Sequence, residues 1–544
     1  MKLPARWLLL LLPLAALLLL VIAPLLRLAW EGWGGAVAQG PAQAFQPWRL
    51  WQDDYLRGRV LWSFAQAAIT CVSALLLGLP VAWVLARLDF WGRQGVLRLL
   101  MLPFVVPTLV AAMGVLALWG PRGVLGSWLG VNLQGTPWLL LYGNLFFNLC
   151  LVVRAGVDAL AQVSAQRVAA ARTLGATPWR AFWRVEWPAI LPWLASSLCL
   201  VFLYCFTGFG LALVLGGQRY STMEVEIYTL VAHELKLAEA SALALWMLLL
   251  TGGVALAYAA LEKRLAEPAH ADPVARQAPQ SAGQWLALTA ALAVLLFFCA
   301  APLLAIVWRA AQAGTQAWAQ LLDRESLAAL WNTLRFSAVA LVAATALGLL
   351  HALAARQSLA WRAAAFLPFV VSPVTVAFGL LLLYPQWSAS LLLLLAAYAL
   401  LAYPFVAKSV AAGLDSLPVH LACAARTLGA SPWRSFWRVT LPLVRPALRR
   451  GMAFAAATAL GEFAVTLFLS RPEWTTLTTL IYQRLGRPGA ANLEAALVLA
   501  CVLMALALLA FVVIEWPARG QRGQPSGPAV FTHLRAAGAD LRHA

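Results

Sequence analysis

Charge is scarce in this chain. Of its 544 residues only 11% are charged and 63% are hydrophobic, whereas a soluble protein carries roughly a quarter charged residues. That composition excludes a soluble globule. Lysine is nearly absent: Lys2, Lys236, Lys263 and Lys408 are the whole set, and none follows a glycine. A loop that cradles nucleotide phosphates needs Gly-Lys-Ser/Thr, so no ATPase motor is encoded here. The cysteines lie singly, mostly inside apolar runs (Cys71, Cys150, Cys199, Cys205, Cys299, Cys501), and none forms a CxxC pair. Neither a zinc site nor a disulfide framework is supported. The six histidines are scattered without metal-ligand spacing, so no cofactor or metal is expected in this chain.

What is present is apolar sequence, in runs of about 20 residues, each long enough to cross a ~30 Å hydrocarbon core as a helix. The net charge of +18 raises the question of nucleic acid, but the arginines sit between the apolar runs, where the positive-inside rule places them. The partner they imply is the lipid bilayer, not nucleic acid. The opening MKLPARWLLLLLPLAALLLLVIAPLLRLAW resembles a signal peptide, with Ala36-Val37-Ala38 as a cleavage candidate. Its apolar stretch is longer than a usual signal core, and a matching run near 284–308 lies where no signal peptide belongs. We read it as a retained transmembrane helix.

The chain is two copies of one plan. ARTLGATPWRAFWRV (171–185) returns as ARTLGASPWRSFWRV (425–439), changed only at Thr177/Ser431 and Ala181/Ser435. LPFVVPTLVAAMGVLAL (102–118) echoes LPFVVSPVTVAFGLLLL (367–383), and EIYTL (226–230) falls opposite LIYQR (480–484). An all-α integral membrane fold follows, about 12 transmembrane helices arranged as two pseudo-symmetric six-helix repeats. Expected spans are 7–29, 61–86, 97–119, 138–157, 189–216 and 238–261, then 284–308, 333–355, 363–384, 388–410, 446–469 and 492–515. The first membrane domain is 1–261, a cytoplasmic linker 262–283, the second membrane domain 284–516, and 517–544 a disordered cytoplasmic tail. With both termini cytoplasmic, most of the 39 basic residues fall inside, as the positive-inside rule demands.

Each copy of the repeated segment occupies a loop between the fourth and fifth spans of its half. Gly175 and Gly429 suit a left-handed helix C-terminus. Thr177-Pro178 and Ser431-Pro432 then read as an N-cap followed by the first helical residue. The second helix, PWRAFWRV or PWRSFWRV, is expected to end before Pro188 and Pro442, so that the loop lies flat on the cytoplasmic face. A basic amphipathic interface anchor accounts for Trp179, Trp183, Trp433 and Trp437, but not for near-identity between halves that otherwise diverge. A DNA-reading helix-turn-helix needs a free solvated domain, and here a span follows within a few residues. Docking of a cytoplasmic partner, presented twice, remains.

At these residues the chain resembles the permeases of binding-protein-dependent ATP-binding cassette importers. Their signature loop reads EAA, three residues, Gly, about twelve residues, then Pro. Ala170-Ala171…Gly175…Pro188 and Ala424-Ala425…Gly429…Pro442 match it. Ala169 and Cys423 depart from it, standing where the family has Glu. The resemblance implies a type I importer fold and a separate cytoplasmic ATPase dimer, which binds ATP and Mg. It also implies a periplasmic substrate-binding protein and residence in the bacterial inner membrane. It further implies ATPase contacts through Arg172, Trp179, Arg180, Arg184, Arg426, Trp433, Arg434 and Arg438. A fused twelve-span layout is similar to the thiamine and the ferric-iron permeases. WQDDYL (51–56), RVEWP (184–188), FTGFGLALVLGG with MEVEIYTL (206–230), and LGEFAVTLFLS with TTLTTLIYQRLG (460–486) are similar to the thiamine type.

Glu462 is the most informative ionisable residue inside a span, because intramembrane charge costs at least ~2.5–3.5 kcal/mol and faces a cavity or a partner. For a small cationic nutrient, Glu462 with Phe463, Phe209 or Tyr204 offers a carboxylate and cation–π faces along a translocation path; the plainer reading has Glu462 fixing helix packing. Pro103, Pro107, Pro368 and Pro373 are expected to kink their spans. The acidic stretch Glu224, Glu226, Glu234 and Glu239 is expected at the outer surface, either receiving the binding protein or simply solvated. Rival readings are a secondary transporter without ATP and a membrane scaffold.

Overall fold

The computed structural model describes residues 11–33, 51–265, 274–365, 367–388, 390–469 and 471–515. The expected tail, the first ten residues and part of the linker lie outside these. Among the described residues there is no strand, only an isolated bridge between Leu88 and Gln277 that ties the linker to the end of the second span. The principal helices of the first half are α1 (Leu11–Gly32), α2 (Asp54–Arg87), α3 (Thr108–Leu129, bent at Gly120–Gly123), α4 (Pro137–Leu160), α5 (Ala165–Thr173), α6 (Pro178–Phe206), α7 (Phe209–Leu215), α8 (Met223–Ala232) and α9 (Leu237–Leu265). Those of the second half are α10 (Ala282–Gln312), α11 (Arg324–Ala355), α12 (Pro373–Leu383), α13 (Leu391–Asp415), α14 (Val419–Thr427), α15 (432–460), α16 (Ala464–Leu469), α17 (Leu477–Gly486) and α18 (Ala490–Glu515).

Among the described residues, ten helices are long and apolar enough to cross a membrane. The two expected spans missing from that set are informative. The stretch expected as 363–384 is divided into Leu359–Ala364, Leu367–Val370 and α12. The one expected as 446–469 begins earlier, at 432, and carries Arg434, Arg438, Arg445, Arg449 and Arg450 along α15. The prolines do more than kink. Pro107 has an extended ψ of 141° and stands as the N-cap of α3, while Ser372 caps α12 and Pro373 is its first residue. A proline lacks the N–H that would continue the ladder and excludes α conformation at the residue before it. Each third span therefore breaks instead of bending.

The same constraint has a second outcome. Four helices contain a wide turn closed by an i→i−5 bond, at Leu18–Ile22, Phe182–Glu186, Leu296–Ala300 and Phe436–Thr440. Each is followed, two residues on, by a proline: Pro24, Pro188, Pro302 and Pro442. The wide turn moves aside the carbonyl that the ring would strike, and the helix runs on. This corrects the expected stop at Pro188 and Pro442. The PWRA and PWRS turns are the first turns of α6 and α15, not separate flat helices.

The two repeats interlock. α1 packs against α12 of the other half, and α10 against α3. At both crossings a glycine admits the proline that follows a wide turn. A Cβ on Gly114 would lie 2.8 Å from the Pro302 carbonyl oxygen, and one on Gly379 would lie 2.9 Å from Pro24 Cβ. Small residues at helix crossings allow the close backbone approach on which packing in lipid depends.

Candidate functional site

The two repeated loops fold alike. α5 ends at Gly175 and α14 at Gly429, both with φ of 83°, where a Cβ costs roughly 1–2 kcal/mol. The Gly175 N–H donates to Arg172 O and the Ala176 N–H to Ala171 O at 3.0 Å; Gly429 and Ala430 repeat this with Arg426 and Ala425. Thr177 Oγ1 and Ser431 Oγ then accept the N–H of Arg180 and Arg434, each at 3.3 Å. Pro178 and Pro432 open the next helix. The helix, glycine turn and N-cap read from the sequence are therefore in place in both copies.

These loops expose what a finished surface hides. α5 buries none of its residues. Leu174 and Leu428 are each 88% exposed, and Trp179 and Trp433 are 69% and 68% exposed. Ala170, Arg172, Arg180, Arg184, Ala424, Arg426, Arg434 and Arg438 are exposed beside them, and Ala171 and Ala425 half-buried. Pro188 is exposed on the following turn and Pro442 likewise. Leu and Trp at matched positions, ringed by arginine, form two equivalent apolar-and-basic knobs. One copy is tied down more firmly. Glu186 accepts from Arg87 Nη2 at 2.8 Å, with both side chains largely buried. Thr440 holds the corresponding place in the second half, so that loop lacks this ion pair.

At the far end of α6, about 43 Å of helix from the loop, the fifth span breaks at Thr207–Gly208 and resumes as α7. In the second half α15 breaks at Gly461–Phe463 and resumes as α16. The breaks meet. Phe209 and Phe463 stack with centroids 5.8 Å apart and planes at 24°, Phe209 touches Tyr228 at 5.5 Å, and Phe463 touches Tyr482 at 5.4 Å. A Cβ on Gly461 would lie 2.9 Å from Pro107 Cβ, and one on Gly210 3.3 Å from Phe463 Cδ1. Four rings from two halves thus close the end opposite the loops.

Glu462 lies in this cluster, but its carboxylate is engaged. Oε1 accepts the Val465 N–H at 3.0 Å, capping α16, and Thr478 Oγ1 donates to the Glu462 carbonyl at 2.9 Å. Helix capping is the role its geometry shows. Tyr204, 43% exposed on α6, is not part of the ring cluster. The acidic stretch is corrected more sharply. Glu234 is exposed, but Glu224 is 0% and Glu226 2% exposed, so neither forms a docking or solvated face. Glu226 accepts from Tyr55 Oη at 3.0 Å and lies 3.7 Å from Arg59 Nε, and burial raises its pKa. Neither Oε of Glu224 makes a hydrogen bond among the described residues. Both acids sit in the apolar run MEVEIY, whose pattern gives the only sequence signal of burial.

Comparison with known proteins places these features. The family model described as "Binding-protein-dependent transport system inner membrane component" matches residues 74–267 and 344–523, once in each half. The chain is 28% identical over 86% of its length to the thiamine transport system permease protein ThiP of Haemophilus influenzae, covering 90% of that relative. It is 27% identical, with the same coverage, to the ThiP of Escherichia coli. It is 33% identical over 29% of its length to the molybdenum transport system permease protein ModB of Escherichia coli, covering 75% of that protein. Two matched domains, two matched loops and a multi-pass helical fold agree: this chain belongs to the family of inner-membrane components of binding-protein-dependent transport systems.

Proposed function

We propose that the chain is the permease subunit of an ATP-driven importer that carries thiamine inward. The observation that carries this reading is the pair of exposed knobs, Leu174 with Trp179 and Leu428 with Trp433, repeated on a chain whose full-length relatives are named for thiamine transport. Two equivalent knobs fit two equivalent sockets, so the partner is an ATPase dimer. The loops face the cytoplasm, with both termini on that side, and the ring-closed end faces a substrate-binding protein outside. Closure of the ATPase dimer draws the knobs together. Because α6 and α15 run without interruption from knob to break, the movement reaches Phe209 and Phe463, and the halves rock to open the outer end. The experiment is uptake of radiolabelled thiamine, against ferric iron, by liposomes holding the chain with its ATPase and binding protein. ATP-dependent thiamine uptake supports the reading; uptake of iron alone overturns the substrate; uptake with no ATPase present overturns the mechanism.

A further inference from the structure

Three carboxylic acids are buried near the closed end, Glu224 and Glu226 from the first half and Glu462 from the second, and they differ in their partners. Glu226 accepts from Tyr55 and lies beside Arg59. Glu462 caps a helix. Glu224 is fully buried, and neither carboxyl oxygen has a hydrogen-bond partner among the described residues. An unpaired carboxylate in such surroundings is strongly unfavourable unless it is neutralised. A fold that keeps one needs it in another state.

The position of Glu224 indicates which state. It lies in the first turn of α8, in the first half, and α8 packs against α12 of the second half. The neighbour beside its carboxyl is the Ser372 hydroxyl, the cap of α12. Ser372 occupies in the second repeat the place that Pro107 occupies in the first, and Pro107 abuts Gly461 across the halves. Glu224 is therefore covered by the opposite half at the same seam that the rings close. One turn along α8 stands Tyr228, in contact with Phe209, which stacks on Phe463. Among the charged groups on the surrounding helices, Glu239 stands half-buried in the first turn of α9. Arg59 on α2 binds the carbonyls of Arg219 and Gln218 beside Glu226, Lys236 ahead of α9 pairs with Glu234, and α7 and α12 carry no charged residue.

We propose that Glu224 is the carboxylate that receives the cationic group of the substrate when the halves part, with Tyr228, Phe209 and Phe463 supplying ring faces. This rests on the reading that the cargo is thiamine, whose thiazolium is a quaternary cation. Such a group cannot donate a conventional hydrogen bond, and it is recognised by an anion together with aromatic faces. Closing the seam around an empty site leaves Glu224 unpaired, and an arriving cation compensates it in the open state.

The test uses the reconstituted complex and thiamine. Glu224→Gln is expected to raise the KM for thiamine uptake about tenfold with a smaller change in maximal rate, and Glu224→Asp to fall between. On the wild-type complex, dicyclohexylcarbodiimide, which adds to protonated carboxyls in apolar surroundings, is expected to label Glu224 rather than Glu462 by mass spectrometry. Saturating thiamine is expected to suppress that labelling. This second measurement needs no variant to fold. Unchanged KM in Glu224→Gln, or labelling indifferent to thiamine, overturns the assignment of Glu224 while wild-type thiamine uptake leaves the transport reading standing. Wild-type complex that takes up no thiamine overturns that reading, and this inference with it.

Discussion

Phe209 and Phe463 stack on one another across the two halves, and the spacing between them in the chain is the one that separates Gly175 from Gly429. The repeat that places two loops at one end of the molecule thus brings its own symmetry mates face to face at the other. An offset aromatic pair adds ~0.5–1.5 kcal/mol beyond the area it buries. Comparing F209A, F463A and the double variant by thermal melting of the purified chain is expected to show a coupling of that size. Strict additivity would mean that the two rings do not hold the halves together.

The crossings at Gly114 and Gly379 are tight joints between the repeats. An added methyl at Gly114 meets a backbone carbonyl at 2.8 Å, and one at Gly379 meets Pro24 at 2.9 Å. Overpacking of this kind costs about 1–3 kcal/mol. G114A and G379A should each lower the melting temperature. G58A, with nothing within 4 Å of its Cβ, should not.

The Arg87–Glu186 pair makes the first loop different from the second. Removing one partner of a largely buried ion pair leaves the other uncompensated, at a cost of about 3 kcal/mol. E186Q is therefore expected to lower stability and to loosen the 165–186 loop in hydrogen exchange. T440V, at the matching position, should leave the 419–440 loop unchanged. Equal effects at the two sites would contradict the asymmetry.

Glu224 also sets a pH dependence. Burial pushes its pKa up to about 8, the Ser372 hydroxyl opposing the shift. A folded-state pKa above the unfolded value means that the native closed form holds the extra proton, so its stability declines as pH rises from about 4.5 towards 8. Melting temperatures of the wild type should fall across that window, and E224Q should flatten the curve. A wild-type curve that rises with pH there would contradict the sign.

The loops were legible in the sequence because each of their features is local. A left-handed glycine, a hydroxyl cap and a first-turn proline act within a few residues, and near-identity between the copies gave each a check on the other. Other features depended on what lies opposite. Pro188 and Pro442 read as helix stops, yet a widened turn absorbs each of them. The same device at Pro24 and Pro302 seats the first spans of the two halves against Gly379 and Gly114 respectively, contacts between residues far apart in the chain. Glu462 was visible as an acid inside a span, whereas Glu224 read as part of an acidic outer surface and is buried instead. Only the fold distinguishes the one that caps a helix from the one that has no partner.

The central claim is that the repeated loops are docking knobs for an ATPase dimer, and capture of that ATPase tests it most directly. Membranes expressing the chain with the candidate ATPase would be solubilised, and the ATPase retained on the tagged chain measured for the wild type, W179A, W433A and the double variant. The account predicts near-stoichiometric capture by the wild type, a partial loss in each single variant, and an almost complete loss when both knobs are truncated. Full capture by the double variant, with its thermal melting unchanged, would contradict it.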